Sequence, residues 1–191
     1  IARQCPSVAR VCPSVNRGLQ VKYKSRNSST AVQGQGADYP VIAGHAIRDG
    51  RFFDAKDVKA YRRVAVLGAT TATDLFDQQS PVGKNIRVGG QTFLVIGLLT
   101  AKGGMGFRNP DDAVYVPVTT AMRRLFGLEN VQNITVQAKS SEVMDKAQEE
   151  VDALLRKRHK IPTMGNADFI VFNQADLEAA HAAIETSDRN R

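Results

Sequence analysis

The chain has 191 residues, of which 42% are hydrophobic, so it contains enough apolar material for one sizeable core or two small lobes. Its longest apolar runs, such as residues 93–99, are far shorter than the ~20 residues of a membrane-spanning helix, so we expect no span within the chain. Lys and Arg outnumber Asp and Glu by 26 to 19, but the cations are scattered and aromatic residues make up only 6%, which argues against a nucleic-acid-binding protein.

The start of the chain predicts strands. No charged and apolar leader precedes the first predicted elements, which indicates a segment of a longer protein. Residues 1–4 have the pattern of a helix end, which the following proline terminates because it cannot donate a backbone hydrogen bond. A strand is expected from Val8. Apolar and polar residues then alternate over 18–32, which predicts a half-exposed hairpin with its turn at 25–29.

The middle of the chain carries the strongest local signals. Asp54 is expected to cap a short helix. Gly89 and Gly90 predict a tight hairpin turn, because glycine tolerates the positive φ angles that such turns require. The elements predicted here are strand 63–68, helix 69–76, hairpin strands 84–88 and 91–99, strand 113–116, and a helix from Thr119 or Thr120 to Phe126.

The last third predicts alternating strands and helices. Apolar residues recur every three or four positions between 141 and 160, which predicts an amphipathic helix that Ser141 caps. Strands are predicted over 131–138 and 169–172, followed by a closing helix that begins at Asn173 or Asp176.

This order of elements predicts two lobes. Helices and strands at both ends bracket a β-rich middle, as expected when one lobe is inserted into another. We therefore predict an α+β fold with one lobe formed by residues 1–45 plus 130–191 and an inserted β-rich lobe formed by residues 46–129.

The sequence offers little for catalysis or cofactor binding. Gly83 and Lys84 form the Gly-Lys pair of a phosphate-binding loop, but Asn85 stands where such a loop carries a hydroxyl. Asp111 and Asp112 lie in a loop, where we favour capping of a turn over binding of a hard cation. No nucleophile motif is present, so we predict no catalytic, cofactor-binding or metal site, and a protein that is not an enzyme.

The cysteines and histidines leave one alternative open. Cys5 and Cys12 each begin a Cys-Pro-Ser-Val repeat, and two thiols are too few for a zinc site. They form either a disulfide, which requires their Cα atoms within ~7 Å, or two buried or unpaired thiols. His45, His159 and His181 are far apart in the sequence, and we expect all three at surface or boundary positions.

A glycine-rich loop is the candidate functional site. Met and Phe among glycines place apolar side chains on an exposed segment, and such side chains often mark a docking surface. The alternative is that Phe107 folds back onto its own lobe. The predicted docking residues are Gly103, Gly104, Met105, Gly106 and Phe107.

Several stretches together resemble a known family. Asp49-Gly50-Arg51-Phe52-Phe53 and Ser80-Pro81-Val82-Gly83-Lys84-Asn85-Ile86-Arg87 are two of them, and the others are residues 63–68, 75–76, 93–99, 111–117, 134–138, 154–159 and 168–173. In this order they resemble the periplasmic core domain of MacB-like ABC transporter permeases. The resemblance extends over nearly the whole chain, although the cysteines and the many glycines of residues 102–109 are not typical of the family.

The resemblance implies a function. Such a domain lies between two membrane helices of an inner-membrane permease, facing the periplasm or the extracellular side, and has a discontinuous porter-like lobe with an inserted sabre-like lobe. It implies transmission of ATP-driven motion during export and docking of a periplasmic adaptor protein. The implied further partners are a cytoplasmic ATPase domain or subunit and a second permease subunit, identical or different. The alternatives are the periplasmic domain of a lipoprotein-releasing or cell-division-type permease, and a small-ligand-binding module.

Overall fold

The first two strands form one long hairpin. The structure is a computed structural model that describes residues 1–103, 109–162 and 165–173. In it, strand β1 (Val8–Tyr23) pairs antiparallel with β2 (Arg26–Gln35), and the paired residues run from Ser14 with Gln35 to Tyr23 with Arg26. The predicted hairpin is confirmed. Its turn comes earlier than expected, at Lys24 and Ser25, where Lys24 adopts a φ of 52°.

The remaining elements follow the predicted order closely. They are α1 (Tyr39–Ile42), β3 (Ile47–Gly50), α2 (Ala55–Lys59), β4 (Val64–Leu67), α3 (Ala69–Phe76), β5 (Asn85–Val88), β6 (Gln91–Leu99), β7 (Ala113–Pro117), α4 (Val118–Thr120), a π-helix (Ala121–Phe126), β8 (Asn133–Ala138), a 3-10 turn (Ser141–Val143) and α5 (Met144–His159). The α+β class is confirmed. Across the described ranges, none of the helices combines the length and apolar character that crossing a bilayer requires.

The strands of the larger unit close into a ring. Their hydrogen-bonded order is β2-β7-β4-β6-β5-β1, and β1 pairs again with β2. The β2–β7 and β4–β6 pairs are parallel, the other pairs of the ring are antiparallel, and β3 pairs with β6. Because the order returns to its first strand, the ring leaves no open edge between these strands.

Strand β4 lies between two apolar cores. All four of its residues are buried, and successive side chains of a strand point to opposite faces. Ala65 and Leu67 belong to the core that also contains Phe93, whereas Val64 and Val66 belong to the core that contains Tyr115. This double burial explains the continuous apolar run that predicted the strand.

The chain divides into two compact units. The larger unit is Cys12–Thr135, and the smaller unit comprises Ile1–Val11 and Val136–Arg191. These bounds differ from the predicted lobes, residues 1–45 plus 130–191 and residues 46–129. Residues 12–45 belong to the larger unit because β1 and β2 pair with each other there and β2 pairs with β7.

The smaller unit has its own apolar cluster. Ala147 and Val151 on α5 pack with Cys5 and Val8. The α-helix begins later than predicted because residues 141–143 form a 3-10 turn instead of its first turn.

Two predictions for the smaller unit are wrong. Residues 169–172 form no strand, since the carbonyl of Val171 accepts from the Gln148 side chain at 3.3 Å and Ile170 is 84% exposed. Residues 1–4 form a turn rather than a helix end, in which the N–H of Gln4 donates to the carbonyl of Ile1 at 2.9 Å. The closing helix predicted over 173–184 falls, apart from Asn173, outside the described residues.

Helix α2 begins with the cap that the sequence predicts. The Asp54 carboxylate accepts from the N–H groups of Lys56 and Asp57, and the Asp57 carboxylate accepts in return from the N–H of Asp54. Asp57 is buried and also pairs with Arg51 at 2.7 Å and Arg62 at 3.6 Å. Burial raises the pKa of Asp57, but the hydrogen bonds from Arg51 and Asp54 and the two positive charges outweigh burial, so its pKa lies below its usual value.

Replacing Asp57 tests this balance. We expect D57N to lower the free energy of unfolding by about 1–3 kcal/mol near neutral pH, because the charged hydrogen bonds are lost. The folded pKa of Asp57 is depressed, so its contribution is present above the unfolded pKa of about 3.9 and disappears as the pH falls through the folded pKa. Urea unfolding of wild type and variant should therefore converge below about pH 4.

D54N is the matched control for this measurement. It removes the same charge from the same capping box, but Asp54 is exposed and asparagine caps helices about as well as aspartate. An equal loss of stability in D54N and D57N at neutral pH would contradict the role assigned to Asp57.

Candidate docking site

The predicted docking residues lie between β6 and β7. Gly103 is described and adopts a φ of 69°, a conformation that glycine adopts at low cost. Gly104, Met105, Gly106 and Phe107 fall outside the described residues. We call residues 103–107 the docking loop and residues 100–102 and 109–112, which flank it, the loop stem.

The Asp111 carboxylate joins the two sides of the loop stem. Its Oδ1 accepts from the N–H of Lys102 at 2.9 Å, and its Oδ2 accepts from the N–H of Gly103 at 2.8 Å. The N–H of Asp111 donates to Oδ1 of Asn109 at 3.0 Å. Asp111 is only 5% exposed, whereas Lys102 and Gly103 are exposed, so these bonds are partly shielded from water. The arrangement agrees with the turn-capping role expected for this loop.

The backbone of Asp111 fixes the loop stem to helix α3. Its carbonyl accepts from the N–H groups of Thr70 at 2.9 Å and Thr71 at 3.2 Å, which satisfies two donors at the start of the helix. Gly68 makes this approach possible, because a Cβ at Gly68 would lie 2.4 Å from the Asp111 carbonyl oxygen.

Asp112 makes a second connection. Its Oδ1 accepts from the hydroxyl of Thr30 at 2.6 Å and from the hydroxyl of Thr71 at 3.2 Å. Both threonines are buried. Because Thr30 belongs to β2 and Thr71 to α3, one carboxylate oxygen links the loop stem to two elements of the larger unit.

His45 supports the other side of the loop stem. It is 2% exposed, so the prediction of a surface or boundary position is wrong for this residue. Its Nε2 lies 2.9 Å from the carbonyl oxygen of Thr100, which can only accept, so Nε2 carries the proton and donates. Among the described residues its Nδ1 has no hydrogen-bond partner. The Lys102 Nζ donates to the carbonyl of Ala43 at 2.6 Å.

A buried tyrosine completes the stem. The hydroxyl of Tyr115 donates to the carbonyl of Pro110 at 2.9 Å and accepts from the hydroxyl of Tyr39 at 3.1 Å. Burial raises the pKa of Tyr115 far above its usual value, so this hydroxyl stays protonated and remains a donor. The His45 ring meets the Tyr115 ring edge-on, with the ring centroids 6.2 Å apart.

The other candidate residues are not brought together. The N–H of Gly83 donates to the Val95 carbonyl at 2.8 Å, so a donor that a phosphate-binding loop would need is already used. His159 pairs with Asp168 at 2.8 Å in an exposed position, and His181 lies outside the described residues. Over the described ranges, no group of three or more His, Cys, Asp or Glu side chains is placed to hold a metal ion.

Cys5 and Cys12 are both free and buried, which decides the alternative that the sequence leaves open in favour of two thiols. Burial raises the pKa of both thiols, so they are poorly reactive near neutral pH.

Sequence reasoning missed most of the residues that hold the loop stem. Thr30, Thr71 and His45 reach their partners 41 or more positions away in the chain, so no local spacing announces them. What the arrangement does chemically is hold both sides of the loop stem in fixed positions with partly buried hydrogen bonds.

Comparisons with known proteins place the chain in a family. Residues 1–154 match the family described as the MacB-like periplasmic core domain. A macrolide export ATP-binding/permease protein MacB of Bdellovibrio bacteriovorus is 35% identical over 181 residues, which are 94% of this chain and 28% of that protein. The MacB protein of Chlorobaculum tepidum is 40% identical over 154 residues, 81% of this chain and 24% of that protein. The chain therefore spans about a quarter of the length of these curated relatives.

Solved structures share the fold. The periplasmic region of MacB from Actinobacillus actinomycetemcomitans superposes with a TM-score of 0.80 at 19% identity, covering 95% of this chain and 78% of that one. The extracellular domain of the noncanonic ABC-type transporter YknZ from Gram-positive bacteria gives a TM-score of 0.76 at 25% identity, covering 90% of this chain and 84% of that one. On the sequence match and the fold together, the chain belongs to the family of MacB-like periplasmic core domains.

Proposed function

We propose that this domain transmits ATP-driven motion in an inner-membrane export permease and docks a periplasmic adaptor protein through the docking loop. The relatives named as macrolide export ATP-binding/permease proteins support the assignment to export. The observation that supports docking is the loop stem. A segment with Met105 and Phe107 in its sequence is flanked by backbone positions that partly buried hydrogen bonds hold in place, as a presented recognition loop requires.

The closed strand ring supports the transmission of motion. Its strands pair without an open edge and pack a core on either side of β4, so a displacement at one end is passed on rather than absorbed. In this proposal the larger unit acts as a rigid body that moves when the membrane part of the permease changes conformation.

The proposed function also requires membrane anchors and further parts of the transporter. Membrane helices on both sides of the domain anchor it, and it works beside a cytoplasmic ATPase domain or subunit and a second permease subunit. ATP hydrolysis takes place on that cytoplasmic part, so the isolated domain has no turnover of its own. In this scheme a porter-like lobe is built from both ends of the chain, and a sabre-like lobe is inserted between them.

Substituting the apolar residues of the docking loop tests the proposal. We expect Met105→Ser with Phe107→Ser to weaken binding of the purified adaptor protein encoded beside the permease by about tenfold or more, because apolar contacts dominate the centre of an interface. The binding constant would be measured by surface plasmon resonance with the 191-residue chain immobilised.

The control replaces Leu94 and Ile134 by serine, since both are exposed apolar residues of the larger unit outside the loop stem, Leu94 in β6 opposite Asn85 and Ile134 in β8. Equal binding of the adaptor by wild type and the loop variant would contradict the proposal that the adaptor docks through this loop. Saturable binding of a small molecule, without adaptor binding, would favour a ligand-binding module instead.

The loop stem generates a separate prediction. In D111N one carboxylate oxygen becomes an NH2 group that faces a backbone N–H, because Lys102 and Gly103 each donate to a different oxygen of Asp111. We expect a loss of about 1–3 kcal/mol in the free energy of unfolding, together with weaker adaptor binding. Chemical denaturation and the binding assay would measure the two effects.

D112N is the matched control for the loop stem. Thr30 and Thr71 both donate to Oδ1 of Asp112, and an asparagine oxygen can accept both bonds. Its cost should stay below about 1 kcal/mol, although it removes the same charge. Similar losses in D111N and D112N would show that charge, rather than the two backbone bonds, explains the effect.

A further inference from the structure

A shallow groove on the larger unit is lined by arginines and a tyrosine. Its lining residues are Ala60, Tyr61, Arg123 and Arg124. The guanidinium carbon of Arg123 lies 4.8 Å from the centre of the Tyr61 ring, within the range of a cation–π contact. Tyr61 is 37% exposed, and both arginines are exposed. A planar cation is therefore held against an aromatic wall at the protein surface.

Tyr61 is held in an unusual backbone conformation. Its φ is 52°, in the left-handed region that favours glycine, and a bulky residue there carries strain. The residues on either side of it are fixed. The hydroxyl of Thr119 donates to the carbonyl of Val58, and the hydroxyl of Thr120 donates to the carbonyl of Arg62 at 2.9 Å. The first bond joins α2 to α4, the second holds the residue after the tyrosine, and together they keep the tyrosine in place.

The arginine side of the groove is also irregular. The helix predicted to end at Phe126 begins at Val118 and continues from Ala121 as a π-helix. Ala121 and Phe126, the ends of this segment, are buried, whereas Arg123 and Arg124 between them are exposed. π-helical turns are rare and occur frequently at functional sites. Here the wider turn places two consecutive arginines on the solvent side.

The positive charge of the groove is not balanced within the described residues. Asp57, the carboxylate of neighbouring α2, is buried and paired with Arg51 and Arg62. Over the described ranges, neither Arg123 nor Arg124 forms an ion pair with a carboxylate. Lys59 and Arg63, which flank Ala60 and Tyr61 in the chain, are also exposed and positively charged. The surface is therefore complementary to an anion.

We propose that this groove binds an extended acidic segment of a partner protein. Guanidinium groups bind carboxylates through two parallel hydrogen bonds, and stacking on Tyr61 fixes the plane of Arg123 so that this fork is already oriented. A membrane surface fits less well, because a plane of head groups contacts protruding cations rather than cations that line a depression. The proposal does not depend on the docking loop.

The test uses a fluorescent oligoglutamate peptide as the probe and an oligoglutamine peptide of the same length as its control. Fluorescence anisotropy with the whole chain should show saturable binding of oligoglutamate that weakens as salt is added. Arg123→Glu with Arg124→Glu should weaken it by about tenfold or more. Arg123→Lys with Arg124→Lys keeps both charges but loses the planar fork, and should weaken it by about threefold.

The control for charge is Lys22→Glu with Lys84→Glu, because both lysines are exposed on the larger unit and the change in net charge is the same. We expect this pair to bind the peptide within about twofold of wild type. Thermal unfolding would confirm that each variant is folded. If the glutamate variant does not fold, the peptide affinity of the lysine variant tests the proposal instead.

Three results would overturn the proposal. They are no saturable binding of oligoglutamate by wild type, an equal loss in the Lys22/Lys84 control, and unchanged binding in the lysine variant. Sedimentation with phosphatidylglycerol vesicles, in the absence of peptide binding, would assign the groove to a lipid surface instead. Unchanged adaptor binding in the docking-loop variant would contradict docking through that loop but would not affect this groove, so the two proposals fail separately.

Discussion

The larger unit depends on one strand that pairs on both sides at once. Val21 of β1 lies opposite Ser28 of β2 and also opposite Val88 of β5. This double pairing closes the ring, and without it β2 and β5 would each present unpaired backbone groups to solvent. Closure also places β4 between β7 and β6 with apolar packing on both faces. β1 meets both partners because Val21 and Lys22 each pair with β2 on one side and with β5 on the other.

The position of the docking loop follows from the directions of these strands. Strand β6 runs parallel to β4 and β7 runs antiparallel to it, so the connection from β6 to β7 passes the end of β4 where α3 begins. At that point the Asp111 carbonyl meets the first N–H groups of α3, and Gly68 leaves room for it. The ring thus brings a loop to a helix start that offers unpaired donors, and the loop stem satisfies them.

Local signals in the sequence predicted local structure well. The Asp54 cap, helix α3 and the Gly89-Gly90 hairpin depend on neighbours within a few positions, and each is found where expected. The burial of His45 and the pairing of β2 with β7 depend on distant partners, so no spacing revealed them. The apolar run at 169–172 predicted a strand that is not formed. A local sequence pattern does not show whether a neighbouring strand is available to pair with it.

The groove stays cationic because of how α2 is capped. Asp57 closes the capping box of that helix and is buried, and its charge is already paired with Arg51 and Arg62. Moving this carboxylate to Arg123 would break the cap and leave two arginines without their partner, which costs more than an exposed ion pair returns. The fold therefore places its nearby acid where it stabilises α2. In our proposal, the carboxylates that complement Arg123 and Arg124 come from a partner protein.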